Sequence, residues 1–189
     1  DLDAAGRVVQ SHQALNEATI LTADLESLSL VDADGRILNA SRGWPVPDGN
    51  VADRDYFVAL RNQPGMPLAI SAPLKNRLTG QETIVLARRV SAPDGTFLGV
   101  VAASIATSRF TRLFSAVLHG GGDSLALTRR DGALLVREPA AEGAARMPDE
   151  LIRFTKAALA RSEEGTLRSV SSGPGGTPEL VALQAVRGY

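Results

Sequence analysis

The sequence predicts a mixed α/β (α+β) fold: a long N-terminal helix, then two lobes built on antiparallel sheets, the second lacking its last strand. Three observations predict it. The first 27 residues repeat apolar side chains at helical spacing with no proline among them. Asp-Gly pairs at 34–35, 94–95 and 131–132 each stand between apolar runs, the short-range signature of a β-hairpin. The segments before and after residues 107–124 also read in the same order: strand, strand, helix, strand, strand.

In the helix, Ala4, Val8, Leu15, Ala18, Leu21, Leu25 and Leu28 form a narrow, alanine-rich stripe. It suits packing on a sheet or on a second copy of itself. His12, on the same helix, reads as solvent-facing. The first hairpin joins the strand around Leu28–Asp32 to Ile37–Ala40, and a type I′ turn at Asp34-Gly35 would need positive φ at both central residues. A loop rich in Pro and Gly (43–49) leads to a short helix near 53–62 and strands near 68–73, 82–91 and 97–105, completing a first lobe over 28–106. A helix near 108–118, with Phe110, Leu113, Phe114, Val117 and Leu118 as its apolar face, falls in a connecting segment over 107–124. The second lobe, 125–189, holds strands at 125–127 and 134–136, a helix near 149–161, and strands near 166–171 and 179–186 around a Gly-Pro-Gly-Gly turn at 173–176. It stops before a counterpart of the first lobe's fifth strand. The alternative is one irregular α/β domain without duplication.

With 189 residues, 44% of them hydrophobic and 22% charged, a packed core is expected rather than disorder. A net charge of −1, with acids and bases interleaved, offers no concentrated basic surface and excludes nucleic acid as the expected partner. There is no Cys, hence no disulfide or thiolate site, and two histidines are too few for zinc. Asp32-Ala33-Asp34-Gly35 lacks the later ligands of a calcium loop. Gly173-Pro174-Gly175-Gly176 has no following Lys-Ser/Thr, and Gly-x-Gly-x-x-Gly does not occur, so no cofactor is expected. No apolar run reaches the length of a membrane span. The chain starts at Asp1 without Met and is expected to be a fragment whose membrane helices lie outside it.

Asp53-Arg54-Asp55-Tyr56-Phe57 is the cluster richest in binding chemistry. Asp53 is placed to cap the helix, and Arg54 stands beside two rings at a helix N-terminus, a cradle for a small anion. In Thr83–Val90, alternation sends one of Arg88 and Arg89 to the face of Ile84 and Leu86 and the other away. The inward one needs an anion, either a ligand or a structural partner such as Asp53 or Asp55. His119-Gly120-Gly121-Gly122 is similar to the oxyanion loop of lipases, which supports a hydrolase as the alternative function. No Gly-x-Ser-x-Gly elbow accompanies it. A ligand-free structural surface module is a further alternative.

The order of these motifs resembles the double Cache (dCache) family, the extracytoplasmic sensor domains of bacterial transmembrane receptors. The marks are the long helix, Val31-Asp32-Ala33-Asp34-Gly35, Asp53–Phe57, Leu86-Ala87-Arg88-Arg89-Val90, Asp94-Gly95-Thr96-Phe97-Leu98-Gly99-Val100-Val101, and Thr128-Arg129-Arg130-Asp131-Gly132-Ala133-Leu134-Leu135. The resemblance implies two PAS-like lobes, a ligand in the membrane-distal lobe, and possible dimer contact through the first helix. It also implies a periplasmic location and an output domain of the histidine kinase, diguanylate cyclase or chemotaxis transducer type, with a non-catalytic sensor. The ligand wall so implied is Arg54, Tyr56 and Phe57, with Ser71, Arg88 and Ser104 from the strands. Family members that bind α-amino acids carry an Asp late in the last distal strand, where this chain has Ser104. The expected ligand is therefore an organic acid or another small anion.

Overall fold

The computed structural model describes residues 2–46, 48–118, 123–140, 147–160, 164–170 and 178–186. In chain order these are α1 (Leu2–Leu21), β1 (Ser27–Asp32), β2 (Ile37–Ala40), α2 (Asp55–Asn62), β3 (Ala69–Ile70), β4 (Leu74–Lys75), β5 (Glu82–Ser91), β6 (Phe97–Ala106) and α3 (Thr107–Val117). Then come β7 (Leu125–Thr128), β8 (Leu134–Glu138), α4 (Asp149–Leu159), β9 (Glu164–Val170) and β10 (Pro178–Gln184). The fold is mixed α/β with an N-terminal helix and antiparallel sheets, as expected. The chain divides into two compact units, residues 1–127 with 135–141 and residues 128–134 with 142–189.

In the first unit β1 to β6 form one antiparallel sheet in the order β2-β1-β6-β5-β3, with β4 also paired to β5, and β7 and β8 pair with each other in a separate two-stranded sheet. The expected strand at 68–73 is instead two short pieces, β3 and β4. Pro73 has no N–H for the ladder, and the N–H of Ala72 is taken by the Asp55 carboxylate at 3.0 Å. Side-chain alternation divides the sheet into two apolar faces. Val31, Val85, Ala87, Val100 and Ala102 meet Tyr56, Phe57 and Leu60 of α2. Ile84 and Leu86, from the other side of β5, meet Phe110 and Phe114 of α3 together with Leu127, Leu135 and Val136.

The helix α1 docks through polar contacts, and Val8, Ala18 and Leu21 of its apolar stripe are exposed. Asn39 Nδ2 donates to Val8 O (2.9 Å) and Ser11 Oγ (2.6 Å). His12 is half-buried, its Nδ1–H donating to Ala40 O at 2.6 Å and its ring lying 4.7 Å from that of Trp44, which corrects the solvent-facing expectation. Leu21, expected on the packed stripe, is 86% exposed.

The three Asp-Gly hairpins share one turn. In Asp32–Arg36, Ala92–Thr96 and Arg129–Ala133, the first residue's N–H donates to the fifth residue's carbonyl (2.9 Å in each), and the Gly N–H donates back to the first carbonyl. Only the glycines have positive φ: +82° at Gly35, +86° at Gly95 and +88° at Gly132. This is the pattern of a type I turn closed by a left-handed glycine, not the expected type I′ turn, because the Asp carboxylates bond backbone N–H groups ahead of them without leaving the right-handed region.

In the second unit, β9 and β10 pair antiparallel from Glu164 opposite Gln184 to Val170 opposite Pro178, and α4 packs along β9. Buried Ile152 of α4 sits over Gly132, and Met147 N–H donates to Gly132 O at 3.1 Å. The turn at 173–176 lies outside the described residues.

Phe57 is fully buried at the centre of the first core, its ring edge-on to Phe97 at 5.6 Å. Phe57→Ala is expected to cost about 3–5 kcal/mol. It should lower the denaturant midpoint of the first unit with little change in slope; an unchanged midpoint would refute this placement of the core.

Candidate functional site

A cleft opens on the sheet face that carries α2. Because alternate residues share a face, Ser27 and Ser29 of β1, Ala102 and Ser104 of β6 and Val85 of β5 form its floor. The ladder registers set them side by side: Ser27 opposite Ser104, Ser29 opposite Ala102, and Val85 opposite Ser104. Arg54 and Tyr56, at the start of α2, form one wall. The segment after β4, with Asn76, Arg77 and Leu78, forms the other. The cleft measures about 30 Å³. That is room for a water or two, so an organic ligand requires the walls to part.

The start of α2 differs from its expected cap. Arg54, with extended backbone (φ −77°, ψ 140°), is the N-cap residue and makes no side-chain cap bond. The carboxylate at the first turn is that of Asp55, which accepts from Tyr56 N–H at 2.8 Å. Asp53 turns instead to Arg77 in a bidentate pair, at 3.0 and 2.8 Å. The Arg77 hydrogen bond holds the Asp53 carboxyl below the usual carboxylate range and raises Arg77 in return. Arg77 also donates to Asn50 O, and Arg54 donates to Lys75 O at 3.1 Å. These bonds latch the β4–β5 connection across the cleft. With side chains 41% and 64% exposed, the Arg77–Asp53 pair is screened by solvent and contributes little to stability.

Of the residues expected at the site, Arg54, Tyr56 and Ser104 line the cleft, and Phe57, Ser71 and Arg88 do not. Phe57 follows Tyr56 around the helix and points into the core. Ser71 is fully buried and serves the sheet, its Oγ accepting from Val85 N–H at 2.9 Å. Arg88 is exposed, on the face of Ile84 and Leu86 beyond their cluster. Arg89, on the other face, meets no acid among the described residues. It donates to Leu60 O (2.8 Å) and Arg61 O (3.1 Å), carbonyls of the last turn of α2, and to Gly95 O, with its guanidinium 4.6 Å from the Phe97 ring centroid. Backbone carbonyls at a helix C-terminus supply the negative pole that an anion was expected to provide.

Four polar lining residues escaped sequence reasoning: Ser27, Ser29, Asn76 and Arg77. The first two carried a signal, since Ser27-Leu28-Ser29-Leu30 alternates with the strand period. Asn76 and Gly80 marked a turn but not its closeness to β1 and β6. His119 and Gly120–Gly122 lie outside the described residues. Among the described residues, no three His, Asp or Glu side chains gather as a metal site, and no helix is long and apolar enough to cross a membrane.

No family model and no curated protein matches the chain. Solved structures do. The extracellular domain of the putative histidine kinase rpHK1S-Z16 is 30% identical, with a TM-score of 0.76 over 94% of this chain and 72% of that one. An extracellular ligand-binding receptor from Desulfohalobium retbaense is 19% identical, with a TM-score of 0.60 over 91% of this chain and 32% of that one. The ligand-binding domain of the Pseudomonas fluorescens chemoreceptor CtaA, in complex with L-serine, is 18% identical, with a TM-score of 0.54 over 96% and 88%. The last two share the fold alone.

Tyr56, 5% exposed, makes no hydrogen bond through its hydroxyl among the described residues. Burial pushes its phenol from 10.0 up to about 12, so the cleft presents it protonated. Below pH 10 the folded and unfolded chains both keep that proton. Above it the unfolded chain loses the proton first, and the stability contribution drains away as pH rises towards about 12. The loss is about 2–3 kcal/mol. Tyr56→Phe should flatten the decline of melting temperature over this window relative to the parent chain; identical profiles would contradict the burial.

Proposed function

Because the chain belongs to the double Cache family of extracytoplasmic sensor domains, we propose that the cleft beside Arg54 takes up a small organic acid. The chain is a small-molecule sensor domain of a membrane receptor. One observation carries the choice of ligand: two guanidinium groups, Arg54 and Arg77, reach the cleft, and no Asp or Glu is among its described lining residues. A carboxylate finds charge-assisted donors there. The chemoreceptor domain of similar fold is in complex with L-serine. The ammonium of such a ligand would need an anionic partner in this cleft, and the lining offers none.

In this reading the ligand-binding lobe spans 28–106, preceded by the helical segment 1–27 and followed by the connecting segment 107–124 and a membrane-proximal lobe over 125–189. The sensor is non-catalytic, and its output domain is a histidine kinase, a diguanylate cyclase or a chemotaxis transducer. The signal is a population shift: ligand binds one cleft geometry better, and α1 responds. Support for that route is the shared use of β1 and β2, which give Ser27, Ser29 and Ile37 to the cleft and hold α1 through Asn39 and Ala40. Exposed Val9, Ile20 and Leu21 on α1 support a homodimer through that helix.

Thermal-shift screening of the whole chain against organic acids, amino acids and amines tests the reading, since a true ligand stabilises by mass action. An acid should raise the melting temperature of the parent, and Arg54→Ala should abolish that rise. An Arg54→Ala variant that responds like the parent sinks the proposal.

A further inference from the structure

The floor of the cleft holds a polar cluster whose hydrogen-bond direction is set by one amide. Asn76, 7% exposed, uses Oδ1 to accept the N–H groups of Leu78 (2.8 Å) and Thr79 (3.3 Å) in its own turn. That choice turns its nitrogen towards the strands, where Nδ2 donates to Ser104 Oγ at 3.1 Å and to Ser27 Oγ at 3.3 Å. All four bonding positions of the amide are then used. Each serine has surrendered a lone pair, and its hydroxyl hydrogen has no acceptor among the described residues. Add the phenol of Tyr56 and the guanidinium groups of Arg54 and Arg77, and the lining side chains offer donors and amphoteric hydroxyls, the amide oxygen of Asn76 being spent in its own turn.

We propose that Asn76, acting through Ser27 and Ser104, makes the floor of the cleft a hydrogen-bond donor and so selects acids whose second polar group is an acceptor, such as a 2-oxo acid, over the matching 2-amino acids. This rests on reading the cleft as the ligand site. The carboxylate meets the arginines, and the oxo oxygen accepts from the serine hydroxyls. An ammonium at the same place has three hydrogens to donate, finds free lone pairs among the lining side chains only on hydroxyls, and lies near the guanidinium groups of Arg54 and Arg77. Groups that hydrogen-bond one end of a ligand reject an analogue that leaves them unmatched, because the buried partners then go unpaired. Asn76 is thus a positioning residue for specificity.

The test uses isothermal titration of the whole chain with matched pairs: pyruvate and L-alanine, 2-oxobutanoate and L-2-aminobutanoate, 2-oxopentanoate and L-norvaline. In at least one pair the oxo acid should bind about tenfold or more tighter than its amino partner. Asn76→Asp keeps an oxygen for the turn and presents a second oxygen to the serines, so their hydroxyls now donate away from the cleft. It should shift the oxo-to-amino ratio about tenfold or more towards the amino member, a reversal that general loosening would not produce. Ser104→Ala, which leaves the Asn76 turn in place, should weaken the oxo acid and spare the amino acid. The selection is overturned if amino members bind as tightly as oxo members, if no oxo acid binds, or if Asn76→Asp leaves the ratio unchanged. Arg54→Ala separates this from failure of the site itself. Binding that prefers amino acids but vanishes in Arg54→Ala refutes only the selection, whereas binding that survives Arg54→Ala refutes the cleft.

Discussion

Strands β5 and β6 are paired in one register from Thr83 opposite Ala106 to Val90 opposite Gly99, with a shift only at Ser91 opposite Phe97. Neighbouring side chains of a strand point to opposite faces, so this one ladder assigns every layer around it. It sends Val85 and Ala87 to α2 and Ile84 and Leu86 to α3. It also brings Ser104 beside Val85 and, through the next ladder, beside Ser27. A slip of one residue would exchange both cores and replace the serine floor by Ile105 and Ala103. Binding chemistry and core packing therefore depend on the same register, and neither can shift without the other.

The helices answer to this sheet in different ways. The helix α2 gives one ring, Phe57, to the core and the adjacent one, Tyr56, to the cleft, so its position is fixed by packing that no ligand needs to supply. Its C-terminal carbonyls are held by Arg89. Its N-terminal turn is tied to the segment after β3 by Asp55. Arg54 thus stands on an element clamped at both ends, the kind of rigid mounting a specific site requires. The helix α1 is attached more lightly, by side-chain bonds from Asn39 and His12, with much of its apolar surface left outside.

Local signals in the sequence reached a long way. Alternation and Asp-Gly punctuation located the strands of the first sheet, and the Arg54–Tyr56 cluster was recognisable by residue type and position, whereas Ser104 came only from the family resemblance. What escaped was whatever a distant partner decides. The glycine alone carries positive φ in each hairpin, because a carboxylate can stabilise a turn from the right-handed region, and residue type does not reveal that choice. Arg88 and Arg89 look alike in sequence. Only the position of the α2 C-terminus makes one of them a cap and leaves the other in solvent. Asn76 and Arg77 sit in a short turn whose meaning comes from strands 49 and 28 residues away and from a loop 24 residues away.

On the proposed reading, the Arg77–Asp53 pair sets a carboxylate of the protein's own, outside the cleft lining, in competition for a guanidinium that a ligand would use. Any incoming acid that needs Arg77 must displace a competitor that is tethered and never diluted. Since both side chains of the pair face solvent, that competition is weak, and the displacement would raise the responding concentration only slightly. Such a built-in rival sets a detection threshold. A substitution at position 53 would then retune sensitivity through Arg77, without changing Arg54, Tyr56 or the serines of the floor.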